Sequence, residues 1–386
     1  MKKLFYDKPA SDWNEALPIG NGFLGAMVFG QVNKERIQFN EDSLWSGGFI
    51  DRTNQDSLTY LNQIRKLLED GNIKEAENLA SQSMFGKHPH MRHYQTMGDI
   101  WIDFFNNSYS EEAIKDEAGL LRIVKHEKLA EDYRRELNLE QATVDVSYKL
   151  SGNQYERQAF ASYPNNVVVY KLTSAQANQL NFKISMTRKD LRSGRGASYL
   201  DELEAFDNQF IKMKGHQGSV QNGIDFSMVL KVETTDGNVK QMGSQLVVEN
   251  ASEATIFVTG RTSFRNDRPF VWCMDNLEKA ASKGYDKLLA EHIEDYQHYF
   301  HKVSLNFERD FELERLPINQ RLDRMKKGEK DKGLIELYSD FGRYLLIESD
   351  SSDSNDSFNH LFIKMEDSCY GCCQCFAAVA EGWFPE

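Results

Sequence analysis

Two adjacent carboxylates, Glu41 and Asp42, sit in the stretch Asn40-Glu41-Asp42-Ser43-Leu44-Trp45-Ser46-Gly47-Gly48, a turn closed by glycines that also carries one indole. Carboxylates beside a tryptophan suit a sugar-facing loop, with acceptors for hydroxyls and a flat apolar face for stacking. The same residues have an ordinary reading, in which the carboxylates cap backbone amides and Trp45 fills a core. Inverting hydrolysis of a glycosidic bond asks for more: an acid and a water-activating base on opposite faces of one sugar, their carboxyls roughly 6.5–9.5 Å apart. Most of the 59 acidic residues fall on charged helical faces, where they are solvated. Asn40, Glu41, Asp42 and Trp45 are therefore the substrate-contact candidates, and no residue is assigned a catalytic role.

Other reactive residues carry less. His88, His90 and His93 lack a matching ligand set elsewhere and read as an exposed polar loop rather than a metal site. His292, His298 and His301 read as interfacial or solvated. Gly20, Gly22, Gly25 and Gly30 do not follow the G-x-G-x-x-G spacing of a phosphate cradle. Of five cysteines, Cys273 stands alone, and Cys369, Cys372, Cys373 and Cys375 crowd into seven positions near the end. A structural zinc site spreads its ligands over a longer loop, so these four are weak metal candidates. No cofactor is expected.

The elements that must position the turn follow from periodicity. Between Ala16 and Asn40 the glycines separate short strands. Leu58, Leu61, Ile64, Leu67 and Leu68 recur at helical spacing, Gly71-Asn72 interrupts them, and a second helix follows, giving a helical insertion near residues 55–84. From Gly98 to Gly260 strand follows strand with turn residues between, the pattern of a large antiparallel β-sandwich. After Phe270 the period returns to helical, with one strand expected at Val303–Phe307. The fold class is mainly β: a supersandwich at 1–270 and a helical connector with one strand at 271–347.

Composition narrows the partners. The chain has 386 residues, 40% hydrophobic, with 24 Phe, 16 Tyr and 5 Trp, enough to bury a sizeable core. The net charge of −13 disfavours nucleic acid and anionic membrane surfaces. No stretch approaches the roughly 18 apolar residues of a spanning helix, no secretory leader is visible, and the body is nearly free of cysteine. A cytoplasmic location is expected.

A series of pieces, in order along the chain, resembles one family. Trp13-Asn14-Glu15-Ala16-Leu17-Pro18-Ile19-Gly20-Asn21-Gly22, Leu24 to Gly30, and Asn40 to Gly48 are similar to the opening of family 95 glycoside hydrolases, the α-L-fucosidase type, with its N-E-D-x-L-W-x-G turn. Tyr94 to Ile100, Asp132 to Leu139 with Ala142, and Tyr155 to Ser162 resemble its later strands. His292, Asp295 and Tyr296 resemble its H-x-x-D-Y helix, and Leu316-Pro317, Arg321-Leu322 and Phe341 to Leu346 its entry to a helical barrel. The resemblance implies a sandwich, a linker, an (α/α)6 barrel and inverting hydrolysis of terminal α-linked L-fucose in fucosylated glycans. It also adds a third reading of the Asn40–Trp45 turn, as a contact with the barrel. The family's N-L-Q-G-x-W-N and N-I-N barrel motifs do not follow Ile347, so the barrel is expected to be absent and this chain alone inactive.

The remainder, 348–386, opens on Ser, Asp and Asn and reads as a disordered or frame-shifted tail. Rival expectations are a non-catalytic carbohydrate-binding module using Trp45 and Trp101, or an inert remnant whose connector helices expose their apolar stripe. A barrel encoded as a separate chain would be a further partner.

Overall fold

The computed structural model describes residues 2–48, 50–87, 92–105, 109–115, 121–127, 129–188, 200–219, 222–308 and 310–349. Its strands are β1 Lys3–Tyr6, β2 Leu17–Gly20, β3 Leu24–Val28, β4 Lys34–Glu41, β5 Gly98–Phe104, β6 Tyr109–Lys115, β7 Leu121–Glu127, β8 Glu131–Asn138 and β9 Thr143–Leu150. There follow β10 Asn153–Ser162, β11 Val167–Ser174, β12 Leu180–Thr187, β13 Glu202–Phe206, β14 Phe210–Gln217, β15 Ile224–Thr234, β16 Asn238–Met242, β17 Gln245–Ala251 and β18 Glu253–Thr262. The helices are α1 Ser57–Glu69, α2 Ile73–Ser83, α3 Pro269–Lys283, α4 Tyr285–Phe300, α5 Phe311–Glu314, α6 Ile318–Lys326 and α7 Lys332–Ser349.

The described residues fall into two compact units, one within 2–44, 95–216 and 225–349 and the other within 45–94 and 217–224. In the first unit, nine strands run β1-β8-β9-β10-β11-β18-β15-β14-β13 and seven run β16-β17-β12-β5-β4-β3-β2, while β6 and β7 form a separate ribbon. The large antiparallel sandwich expected from the sequence is present, and among the described residues no ring of helices closes into a barrel.

Alternation along the strands builds the layers. Ile37, Phe39, Ile100, Ile102, Phe182 and Ile184 of the smaller sheet are buried, as are Val144, Val146 and Met228 of the larger. Central strands of the larger sheet are buried over nearly their whole length, because α3 and α4 cover its other face. Phe160, Val169, Val229 and Phe257 pack there with Cys273, Leu277, Ala280 and Leu288. The two sheets are also joined by an ion pair, Arg157 Nη1 to Glu35 Oε2 at 2.9 Å, with both side chains inaccessible.

The helical segment corrects two expectations. No strand forms at Val303–Phe307; the residues are exposed, and the Phe307 amide donates to the Glu336 carboxylate at 3.0 Å. Alternation says which side chains share a face, but a strand needs an edge to pair with. The apolar stripe of α7 is not left bare either: Leu334, Leu337, Phe341 and Tyr344 are buried within the first unit. Tyr344 stands edge-on to Tyr296 of α4, and its hydroxyl donates to the Pro18 carbonyl at 2.7 Å.

The end of α7 explains a glycine. The Gly20 amide donates to a Glu348 carboxylate oxygen at 3.1 Å and the Gly22 amide to the Glu348 carbonyl at 2.8 Å. A Cβ on Gly20 would lie 2.7 Å from that carbonyl oxygen, closer than any side chain permits. The glycine-rich β2–β3 turn is a seat for a helix end.

In the second unit, α1 and α2 form the helical hairpin expected near 55–84. Gly71, at φ 77°, makes the break that only glycine accepts easily. Ile64 and Ala76 are its buried apolar residues.

Candidate functional site

The expected turn divides between the two units. In the first, β4 carries Asn40 half-buried opposite Gly25 and ends at Glu41, which is fully buried. The chain then bends, and the Ser43 amide donates to Glu41 at 2.8 Å while the Ser43 hydroxyl donates to the same carboxylate at 2.7 Å. The Ser43 and Thr262 hydroxyls are 2.5 Å apart, tying the end of β4 to the end of β18. Beyond β18, Arg265 grips Asp42 with two hydrogen bonds, at 2.6 and 2.8 Å, and its Nη1 lies 3.7 Å from Glu41.

Burial pushes the Glu41 carboxyl up to about 7; the Asp42 charge adds to this, and the Ser43 hydrogen bonds and Arg265 oppose it. A carboxyl titrating near neutrality is what a general acid needs. Here, however, one guanidinium nitrogen lies within 3.7 Å of both carboxylates. The pair is closed around a cation, whereas hydrolysis with inversion needs it open around a sugar and a water. The arrangement builds an internal corner.

Sequence reasoning missed the other half of this corner. Arg261 lies over the rings of Phe23 and Trp272, at 5.0 and 4.5 Å, and Arg265 lies over Phe23 at 5.2 Å. Phe23 in turn stacks on Tyr163 at 5.9 Å. The signal was the break from the apolar run of β18 into Arg261-Thr262-Ser263-Phe264-Arg265, which separation in sequence hid from the Asn40 turn.

Trp45 belongs to the second unit, bridged to Tyr94 and edge-on to its ring at 5.6 Å. His93 is exposed there, and its amide donates to Ser46 at 2.9 Å. His88 and His90 lie outside the described residues, as do Cys369, Cys372, Cys373 and Cys375. Among the described residues no group of three or more His, Cys, Asp or Glu is placed to hold a metal ion. No helix among them is long and apolar enough to cross a membrane. Trp101, on β5, donates its indole N–H to Thr187 at 2.9 Å, and Lys34 and Arg36 lie over its ring.

His292 and Tyr296 of the H-x-x-D-Y helix, with Gln297, hold α4 to the sandwich. His292, buried, lies 3.0 Å from the Gln141 carbonyl and 3.1 Å from that of Ala142. The Tyr296 hydroxyl donates to Leu139 at 2.8 Å, and Gln297 to Glu140 at 2.9 Å. Burial drives the His292 imidazole down to about 4, so it is neutral at ordinary pH. The carbonyls it meets belong to the turn after β8, which Ala142 closes at φ 52°.

Residues 4–267 match the model described as glycosyl hydrolase family 65, N-terminal domain, and residues 284–359 match that of the glycosyl hydrolase family 95 catalytic domain. The chain belongs to the glycosyl hydrolases that carry the family 65 N-terminal domain, since that match spans well over half of its length. Helices α4–α7, expected to be a connector, thus lie under the catalytic-domain match. The chain is 29% identical over 375 residues to Alpha-L-fucosidase 2 of Arabidopsis thaliana and 26% identical to Probable alpha-fucosidase A of Aspergillus niger. It is matched over 90% of its own length in both, but spans only 42% and 43% of theirs. Among solved structures, a putative kojibiose phosphorylase from human microbiome is similar over 90% of this chain and 41% of that one, at a TM-score of 0.48 and 9% identity.

Proposed function

We propose that this chain is the N-terminal part of an α-L-fucosidase-like glycoside hydrolase, and that the sandwich serves as the seat on which the helical catalytic part is built. Its substrates would be glycans with terminal α-L-fucosyl linkages, cleaved with inversion. The observation that carries this reading is the docking of α4 and α7. Side chains of His292, Tyr296, Gln297, Tyr344 and Glu348 are bonded to sandwich backbone rather than to one another. Backbone-directed contacts fix a helix in position whatever the surrounding side chains do, as a scaffold requires. The domain division that fits is a sandwich ending near residue 270, since the two family matches stop at 267 and resume at 284.

The corner at Glu41, Asp42 and Arg265 is part of the scaffold and carries no proton-transfer role. The 386-residue chain is then inactive alone. Incubating the purified protein with an aryl α-L-fucoside tests this: the expected rate equals that of buffer, and turnover proportional to protein concentration, lost when the helical segment 284–349 is disrupted, overturns the proposal.

A further inference from the structure

The buried stripe of α7 leaves the other side of that helix open. Ile335, Ser339, Gly342 and Leu346 recur at intervals of four, three and four, so at about 100° per residue they share one line along the helix. Ile335 and Leu346 are each 44% exposed, and a Cβ on Gly342 would enter open space, with nothing within 4 Å. Tyr338 and Leu345 flank the line. An arc of about 120° thus carries no charge, whereas the outer side of a surface helix is ordinarily polar.

A second apolar feature lies alongside. Arg343 donates to the Phe300 carbonyl at the end of α4, and the Phe307 amide donates to Glu336 at 3.0 Å, so Val303–Phe307 runs beside α7. Val303, Leu305 and Phe307 are 60%, 37% and 41% exposed. Their alternation, which pairs with no described strand, adds three apolar side chains next to the uncharged helix face. Single exposed apolar residues need no explanation, but a contiguous patch of roughly 400 Å² marks an interaction surface. With a polar rim half that size again, two copies would bury about 1,200 Å², the lower end of specific interfaces.

The symmetry of the face selects its occupant. Ile335 lies four residues before Ser339, and Leu346 four after Gly342. An antiparallel copy therefore sets Ile335 of one chain against Leu346 of the other and Ser339 against Gly342, ridge into groove about a twofold axis. Because the arc is uncharged, two such faces can meet although each chain carries a net charge of −13.

We propose that this face binds a second copy of the same chain, forming an antiparallel α7–α7 dimer centred between Ser339 and Gly342. The dimer rests on neither turnover nor the fucosidase reading. Sedimentation equilibrium of the 386-residue chain from about 1 to 200 μM tests it, with a monomer–dimer equilibrium near 10 μM expected for an interface of that size. Gly342→Glu puts two carboxylates at the axis and should raise the dissociation constant at least about thirtyfold. Its melting temperature should be kept, since the new side chain enters open space and glycine is a poor helix former. Ile335→Lys and Leu346→Glu should each weaken the dimer about tenfold, and the double variant should dimerise more tightly than either, because each lysine meets a glutamate across the axis. Within one chain those two positions are about 16 Å apart along the helix, too far to pair. A chain that stays monomeric overturns the proposal and leaves the face to another partner, such as the remainder of the length seen in the relatives. Larger aggregates in place of a dimer, a dimer indifferent to Gly342→Glu, or a double variant no tighter than the single ones overturns it as well.

Discussion

Glu35 and Glu41 stand near opposite ends of β4, both without solvent exposure, in contrasting surroundings. Around Glu35 every neighbour donates: the Gly30 amide at 2.8 Å, Arg157 at 2.9 Å, the Tyr170 hydroxyl at 3.0 Å and the Arg36 amide at 3.1 Å. Burial pushes its carboxyl up against the pull of Arg157, but a protonated acid would point its own proton at a donor, so the pair is held charged. Around Glu41 the Ser43 amide and hydroxyl donate, a guanidinium stands 3.7 Å away and Asp42 repels, and the carboxyl titrates near 7. Equal burial thus gives a permanent charge at one end and a titrating acid at the other. What differs is the charge beside each, Arg157 in contact with Glu35 and Asp42 repelling Glu41.

The largest effect expected from breaking this contrast is at Glu35. Glu35→Ala strands Arg157 as an uncompensated buried cation, also bonded to the Gln31 and Val32 carbonyls, and should cost about 3–5 kcal/mol. Equilibrium urea unfolding measures it. The double variant Glu35→Leu with Arg157→Met should be less unstable than Glu35→Ala, because it removes the orphan charge. A double variant worse than the single would mean that the pair attracts more strongly than its desolvation costs.

At Glu41 the expected signature is in pH. The folded pKa of Glu41, about 7, lies above the unfolded value, so the native state binds the proton more tightly. Stability from this group is therefore full below about pH 4.5 and lost as pH rises to about 7, by up to about 3 kcal/mol, and constant above. Glu35, Asp145 and Glu348 are also raised by burial, so the variant must be compared with its parent. The stability of Glu41→Gln relative to the parent should climb between pH 5 and pH 8; a flat difference would show that Glu41 is ionised throughout.

How far the sequence disclosed this follows from where partners lie. The sandwich was legible because the alternation of β9 and β12, the apolar runs of β11, β15 and β18 and the turn residues between them are all local, and the α1–α2 hairpin because Gly71 interrupts a helical stripe. The Asn40–Trp45 turn was visible as a motif, but its chemistry was not, since Thr262 and Arg265 reach it from the far end of the sandwich. The same distance hid why Gly20 is a glycine and where α7 packs, both set by a contact between residues 20 and 348. Val303–Phe307 misled because its alternation is real but no edge is paired with it.

The smallest expected effect sharpens the contrast most finely. Asp42 and Arg265 form a two-bonded pair whose side chains are 12% and 21% exposed, so part of its attraction is screened. Arg265→Ala should therefore cost on the order of 1 kcal/mol in urea unfolding, less at high salt. Its second consequence is more telling: without that cation Glu41 keeps its burial and the Asp42 repulsion, so its proton should leave at a higher pH. The pH window of the Glu41→Gln comparison, repeated in the Arg265→Ala background, should move upward. Arg265→Lys should leave the window near the parent's, because it restores the charge, but not the full stability, because an ammonium cannot make the two-bonded contact. If the window stays put in Arg265→Ala, then the remoteness of this guanidinium makes Glu41 titrate on burial alone, and the donors at Ser43 set its behaviour.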